Sequence, residues 1–146
     1  MNNGLNIVQR FSSIVAIKRE GHQMQYLLYM DKNWNLKFFP NFTSVSDDTE
    51  NIKKKLSVWL KLDADSIGIQ YAAEGSERKY STEHKEEREY HYRFYTAKLE
   101  NFPGYQKDEF ELEGVHYYWM TIDDMLQDPE LKEHNEFVIQ MIRDHT

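Results

Sequence analysis

The sequence predicts an α+β fold in which a mixed β-sheet core lies between helices. Three observations carry that expectation. β-branched and aromatic runs gather into strands on either side of one helical stretch. That stretch, Ile52 to Leu60, sets its apolar residues at helical spacing. A second helical pattern closes the chain after a last strand. With 146 residues, 40% of them hydrophobic and 14% aromatic, the chain can bury one core, and global disorder is excluded.

Ser12 to Arg19 carries Ile14, Val15, Ala16 and Ile17 without alternation, as a strand covered on both faces does. Glu20-Gly21-His22 supplies a turn into a second strand, Met24 to Met30, giving a hairpin. Leu36 to Phe39 is a short third strand ended by Pro40. Asp47 and Glu50 then have capping-box spacing, with Asp47 as N-cap. Ile52, Leu56, Trp59 and Leu60 follow at i, i+4, i+7 and i+8, one apolar helix face. Ile67, Ile69 and Tyr71 alternate as a strand, and Glu89 to Leu99 forms another. Between these two, Glu74 to Arg88 is charged and poor in apolar residues, and reads as a protruding hairpin tip or loop. Val115 to Met120 is the last strand, Thr121 caps a short helical turn, and His134 to Arg143 is the terminal helix.

Composition narrows the function. Lys plus Arg total 18 against 25 Asp plus Glu, a net charge of −7 that argues against a general nucleic-acid binder. There is no cysteine, so no disulfide, thiolate metal site or cysteine nucleophile exists. No apolar run approaches the ~20 residues that span a bilayer, and Met1 to Gln9 lacks a signal pattern. No membrane association and a cytoplasmic location are expected. The six histidines show no ligand spacing, and neither a Gly-rich phosphate loop nor a serine elbow is present.

The order of elements resembles that of the Nudix hydrolase (MutT-like) superfamily over nearly the whole chain, as a single domain, residues 1–146. Lys37-Phe38-Phe39-Pro40 resembles the strand that enters a Pro-Gly-Gly turn, and Ile52 to Leu62 the catalytic helix. Tyr92 to Ala97 is similar to the later strand, and Glu113 to Leu126 to the closing strand and turn. The resemblance implies a Nudix-like mixed sheet between helices. The catalytic box, however, is degenerate. Aligning its apolar positions on Leu56, Leu60 and Leu62 puts Lys54-Lys55 where Arg-Glu belongs and Val58-Trp59 where Glu-Glu belongs. Lys61 takes the place of the helix-ending glycine, and Asn41-Phe42 that of the paired glycines. Lys55, Val58 and Trp59 share one helix face. An ammonium, an isopropyl group and an indole offer no hard oxygen to Mg²⁺.

The leading expectation is therefore a Nudix-fold protein without metal-dependent pyrophosphohydrolase activity, needing no cofactor and holding no metal. It would serve as a ligand-binding, regulatory or protein-interaction domain. Its ligand would be a nucleotide or nucleoside-diphosphate-like molecule, with Lys55 meeting phosphate and Trp59 and Tyr92 stacking a base. The rival is a divergent hydrolase of nucleoside diphosphate-linked compounds, using Mg²⁺ with Glu89, Glu111 or Glu113. Against it, charge runs in an acidic chain are usually solvated faces. Most of the tyrosines, likewise, are core filling in a strand-rich fold.

Overall fold

Neighbouring residues of the first strand are buried to opposite sides, and this double burial organises the molecule. The computed structural model describes residues 7–81 and 85–146. Among them are strands β1 (Val8–Arg19), β2 (Gln25–Asp31), β3 (Leu36–Phe38), β4 (Asn41–Thr43), β5 (Ile67–Ser81), β6 (Glu86–Leu99), β7 (Glu109–Leu112) and β8 (Val115–Thr121). The helices are α1 (Asp48–Leu60), α2 (Ile122–Gln127) and α3 (Pro129–His145). The strand order is β5-β6-β1-β2-β8-β7, with β3 on β2 and β4 on β1. β1 and β6 run parallel, from Val8 opposite Arg88 to Ile17 opposite Ala97, and the other pairings are antiparallel. The sheet is mixed, as expected.

Val15 and Ile17 join Leu27, Tyr117 and the α1 residues Ile52, Leu56 and Leu60 in one apolar layer. Ile14 and Ala16 join Leu28, Phe94 and the residues Met125, Leu131, Val138, Ile139 and Ile142 of α2 and α3 in the other. Helices thus cover both sides of β1, which explains a strand with no polar face. No helix among the described residues is long and apolar enough to cross a membrane.

Four features depart from the sequence reading. β1 starts at Val8, and the short strands β4 and β7 carry too few residues for a period to show. α3 starts at Pro129 rather than near His134, because Asp128 Oδ1 accepts the N–H groups of Glu130 and Leu131, both at 3.2 Å. Asp47 occupies the N-cap position of α1 but makes no side-chain cap, so the Asp47–Glu50 box does not form. The next residue, Asp48, takes the local amide instead: its Oδ1 accepts the Val45 N–H at 3.1 Å. A complete capping box does occur at α2, where Thr121 and Asp124 exchange bonds of 3.0 and 3.1 Å.

Of the two readings of Glu74 to Arg88, the hairpin holds and the loop does not: β5 continues to Ser81 and β6 begins at Glu86. Only residues 82–84 of that stretch lie outside the described residues. Opposite charges face each other across the ladder, Glu74 against Arg93 and Arg78 against Glu89, with Arg78 and Glu89 paired at 3.2 Å. Cross-strand pairs of this kind hold a hairpin that has little apolar surface to bury.

Candidate functional site

The helix α1 places its apolar residues towards the sheet and leaves the other side wet. Val58 is 74% exposed and Lys55 is exposed. Trp59 is half-buried and packs edge-on against Tyr29, ring centroids 5.2 Å apart, and Phe42, 4.9 Å. It is an apolar bracket between helix and sheet. From Lys54 to Lys61 the helix offers no carboxylate, so the residues present do not fit a Mg²⁺ ion on this face.

The acid closest to the helix start is committed elsewhere. Asp48 is buried, and its Oδ2 accepts the hydroxyls of Ser13 and of Tyr95, the latter at 2.9 Å, with the Arg93 guanidinium 3.5 Å away. Burial alone would push its pKa up. The bonds from Ser13, Val45 and Tyr95 and the charge of Arg93 outweigh that and hold it below the usual carboxylate range. Tyr95 responds in the opposite sense, raised to about 12 by burial and by its bond to Asp48. The cluster pins the start of α1 to β1 and β6.

The acids proposed as alternative catalysts do not converge. Glu89 lies on β6, paired with Arg78 at 3.2 Å and His91 at 3.1 Å. Glu111 is exposed on β7 opposite His116, and Glu113 sits in the turn after it, bound to Lys61 at 2.6 Å. β1, β2 and β8 stand between β6 and β7, a separation of roughly 19 Å along the sheet. Among the described residues no three His, Asp or Glu side chains are grouped to hold a metal.

A cleft that gathers aromatic and cationic side chains lies elsewhere, on the α3 side. It encloses about 470 Å³ and is lined by residues of strands β1 to β6 and of α3. Ser12, Tyr90 and Tyr92, which share one face of β1 and β6, line it together with Trp34 and Phe38. Tyr92 and Tyr90 lie nearly parallel, 7° apart with centroids at 6.1 Å. The Tyr92 hydroxyl donates to Glu77 at 2.8 Å, and burial, with that carboxylate beside it, raises its pKa far above the ordinary value. Lys79 and Arg88 supply positive charge. The carboxylate of Asp31, also in the lining, is turned to the N–H groups of Asn33 and Trp34 at 2.9 and 3.1 Å. The cleft combines aromatic faces with cations, the composition that suits a planar ring carrying an anionic group.

Of the residues singled out from sequence, Tyr92 lines this cleft, whereas Lys55 and Trp59 do not. Tyr29 touches both places: it lines the cleft and packs on Trp59. Lys79, Arg88 and Asn135 escaped the sequence reading. The first two lay in the stretch read as a hairpin tip or loop, and the matched charges of Arg78 and Glu89 were the available signal for extended pairing there.

No protein-family model matches the sequence, and no curated protein matches it. Solved structures do. The chain is similar to the Ap4A hydrolase of C. elegans, with a TM-score of 0.54 and 13% identity over 90% of this chain and 93% of that one. It is also similar to NrtR of Shewanella oneidensis, with a TM-score of 0.57 and 13% identity over 91% of this chain and 65% of the longer one. The NUDIX domain of NrtR complexed with ADP ribose gives a TM-score of 0.57 at 12% identity, covering 99% of this chain and 92% of that domain. These likenesses establish the architecture: the chain has the Nudix fold.

Proposed function

We propose that this Nudix-fold chain is a ligand-binding domain whose cleft takes a nucleotide or nucleoside-diphosphate-like molecule from the cytoplasmic pool, without metal-dependent hydrolysis. The observation that carries the reading is a contrast: α1 has no carboxylate from Lys54 onward, while the α3-side cleft stays open. A domain of the same fold in complex with ADP ribose supports the ligand class. Tyr92 and Tyr90 are the stacking surface in this reading, and Trp34, 60% exposed at the cleft wall, is the natural optical reporter.

The test is fluorescence titration with ADP ribose and ADP, run beside an assay for phosphate-containing hydrolysis products in Mg²⁺. Saturable quenching that Trp34→Phe removes, with no product formed, is the expected result. Mg²⁺-dependent turnover abolished by Glu89→Gln, Glu111→Gln or Glu113→Gln would overturn it and establish the divergent hydrolase. A silent titration across the panel would leave a protein partner as the reading to pursue.

A further inference from the structure

The like charges of Lys79 and Arg88 are directly opposite one another in the β5–β6 ladder, so both side chains leave the same face of the hairpin. Facing cations repel, and a strand pair is weakened by them unless an anion lies between. Each has an acid on the same face, Glu77 at 3.7 Å from Lys79 and Glu86 at 3.1 Å from Arg88, but the two cations line the cleft and the two acids do not. Tyr90 follows Arg88 on that same face two residues along, and Lys79 Nζ lies 6.0 Å from its ring centre. A ring stacked on Tyr90 would carry its charged group towards the cation pair.

A second, independent observation comes from α3. The helix breaks its regular geometry at Asn135, with φ −131° and ψ 15°. Lys79 Nζ donates to the carbonyl of His134 at 2.5 Å, tying the hairpin to the residue before the kink. The side chain of Asn135 lines the cleft, and its Nδ2 is buried with no acceptor among the described residues. A buried donor left unbonded is costly and is rare in folded proteins. It is explained if a ligand supplies the acceptor.

We propose that Lys79 and Arg88 together bind the phosphate or diphosphate of the cleft's ligand directly, without a metal ion, while the Asn135 amide donates to an acceptor on its uncharged part. This rests on the reading that the cleft takes a nucleotide-like molecule. The two cations replace by ammonium and guanidinium what a carboxylate-held ion would otherwise supply. The lysine also fixes the helix that presents the amide, so charge recognition and ring recognition are mechanically joined.

The experiment is calorimetric titration of the full chain with ADP ribose, ADP and adenosine in EDTA. Binding of the two phosphate-bearing probes should persist in EDTA and weaken with added salt, while adenosine should respond little to salt. Lys79→Gln and Arg88→Gln should each weaken ADP by about tenfold or more and adenosine by less than about twofold. Lys79→Arg should restore most of the ADP affinity, which a merely unfolded variant could not. Arg78→Gln makes the same charge change on the other hairpin face, paired to Glu89 rather than to the cleft, and should leave ADP within about twofold. Asn135→Ala should weaken adenosine and ADP alike. If ADP binds, and Tyr90→Ala weakens it, yet Lys79→Gln and Arg88→Gln have no effect or binding requires Mg²⁺, the clamp is wrong and the cleft reading survives. If none of the three probes binds, both fall.

Discussion

On the α1 side of the sheet, Ile52 and Leu56 are out of solvent and Trp59 is pressed against Tyr29 and Phe42. On the α3 side, alternate residues of β1 and β6 leave Ser12, Tyr90 and Tyr92 lining an open cleft together with two cations. The same strands serve both faces. Both faces carry a packed apolar layer, but the α3 side also keeps concave space, aromatic faces and an unmet donor. Packing and recognition draw on the same residue types, so aromatic composition alone does not separate them. What separates them is whether neighbouring side chains fill the space in front of the ring.

The sharpest way to test that division is to damage the packed face. Leu56→Ala removes a fully buried side chain and should cost about 2–5 kcal/mol in chemical denaturation. The protein that remains folded should bind ADP ribose with an unchanged Kd. Next comes Asp48→Ala, which strands the hydroxyls of Ser13 and Tyr95 and the Arg93 charge and should cost about 3 kcal/mol. Asp48 also gives the comparison a pH axis. Its folded pKa is depressed, so its contribution is complete above the ordinary carboxylate value of about 3.9 and is lost as pH falls through the lower folded value. Asp48→Asn should flatten the acid limb of a stability–pH curve.

A crossed pair of variants tests the division most directly. Tyr90→Ala should weaken ADP ribose by about tenfold, the size of a lost stacking contact, and change unfolding free energy by less than about 1 kcal/mol. Trp59→Ala should do the reverse, lowering stability by about 2 kcal/mol with binding intact. Should Trp59→Ala weaken binding as much as Tyr90→Ala does, the two faces are not separate. The smallest effects belong to Asp47→Ala and Lys55→Ala. Neither side chain is buried, and Asp47 makes no cap bond, so each should stay within about 0.5 kcal/mol by thermal denaturation.

α1 was legible because its apolar residues repeat at helical period over several turns. The absence of carboxylates between Lys54 and Lys61 was legible as plain composition. The cleft was not. Tyr92 could be singled out, but whether its ring meets a ligand or a neighbour depends on α3, whose kink at Asn135 leaves no mark in the sequence. Lys79 and Arg88 were hidden by hydropathy, since a hairpin held by charge pairs resembles a solvated loop until its register is known. Asp48 and Asp47 show the same limit at single-residue scale. Two adjacent acids offer equal local capping chemistry, and only the approach of Ser13 and Tyr95 from distant strands decides which is used.

The parallel pairing of β1 with β6 also sets when this chain can fold. Val8 cannot meet Arg88, nor Ile17 meet Ala97, until a ribosome has released the chain beyond that point. Until then the apolar run Ile14 to Ile17 has β2, β4 and α1 to shelter it, but not its longest strand partner. Closure of so distant a ladder is slow, in the millisecond-to-second range typical of non-local sheets. The strand at the centre of the finished molecule is therefore among the first made and the last to gain its full set of neighbours.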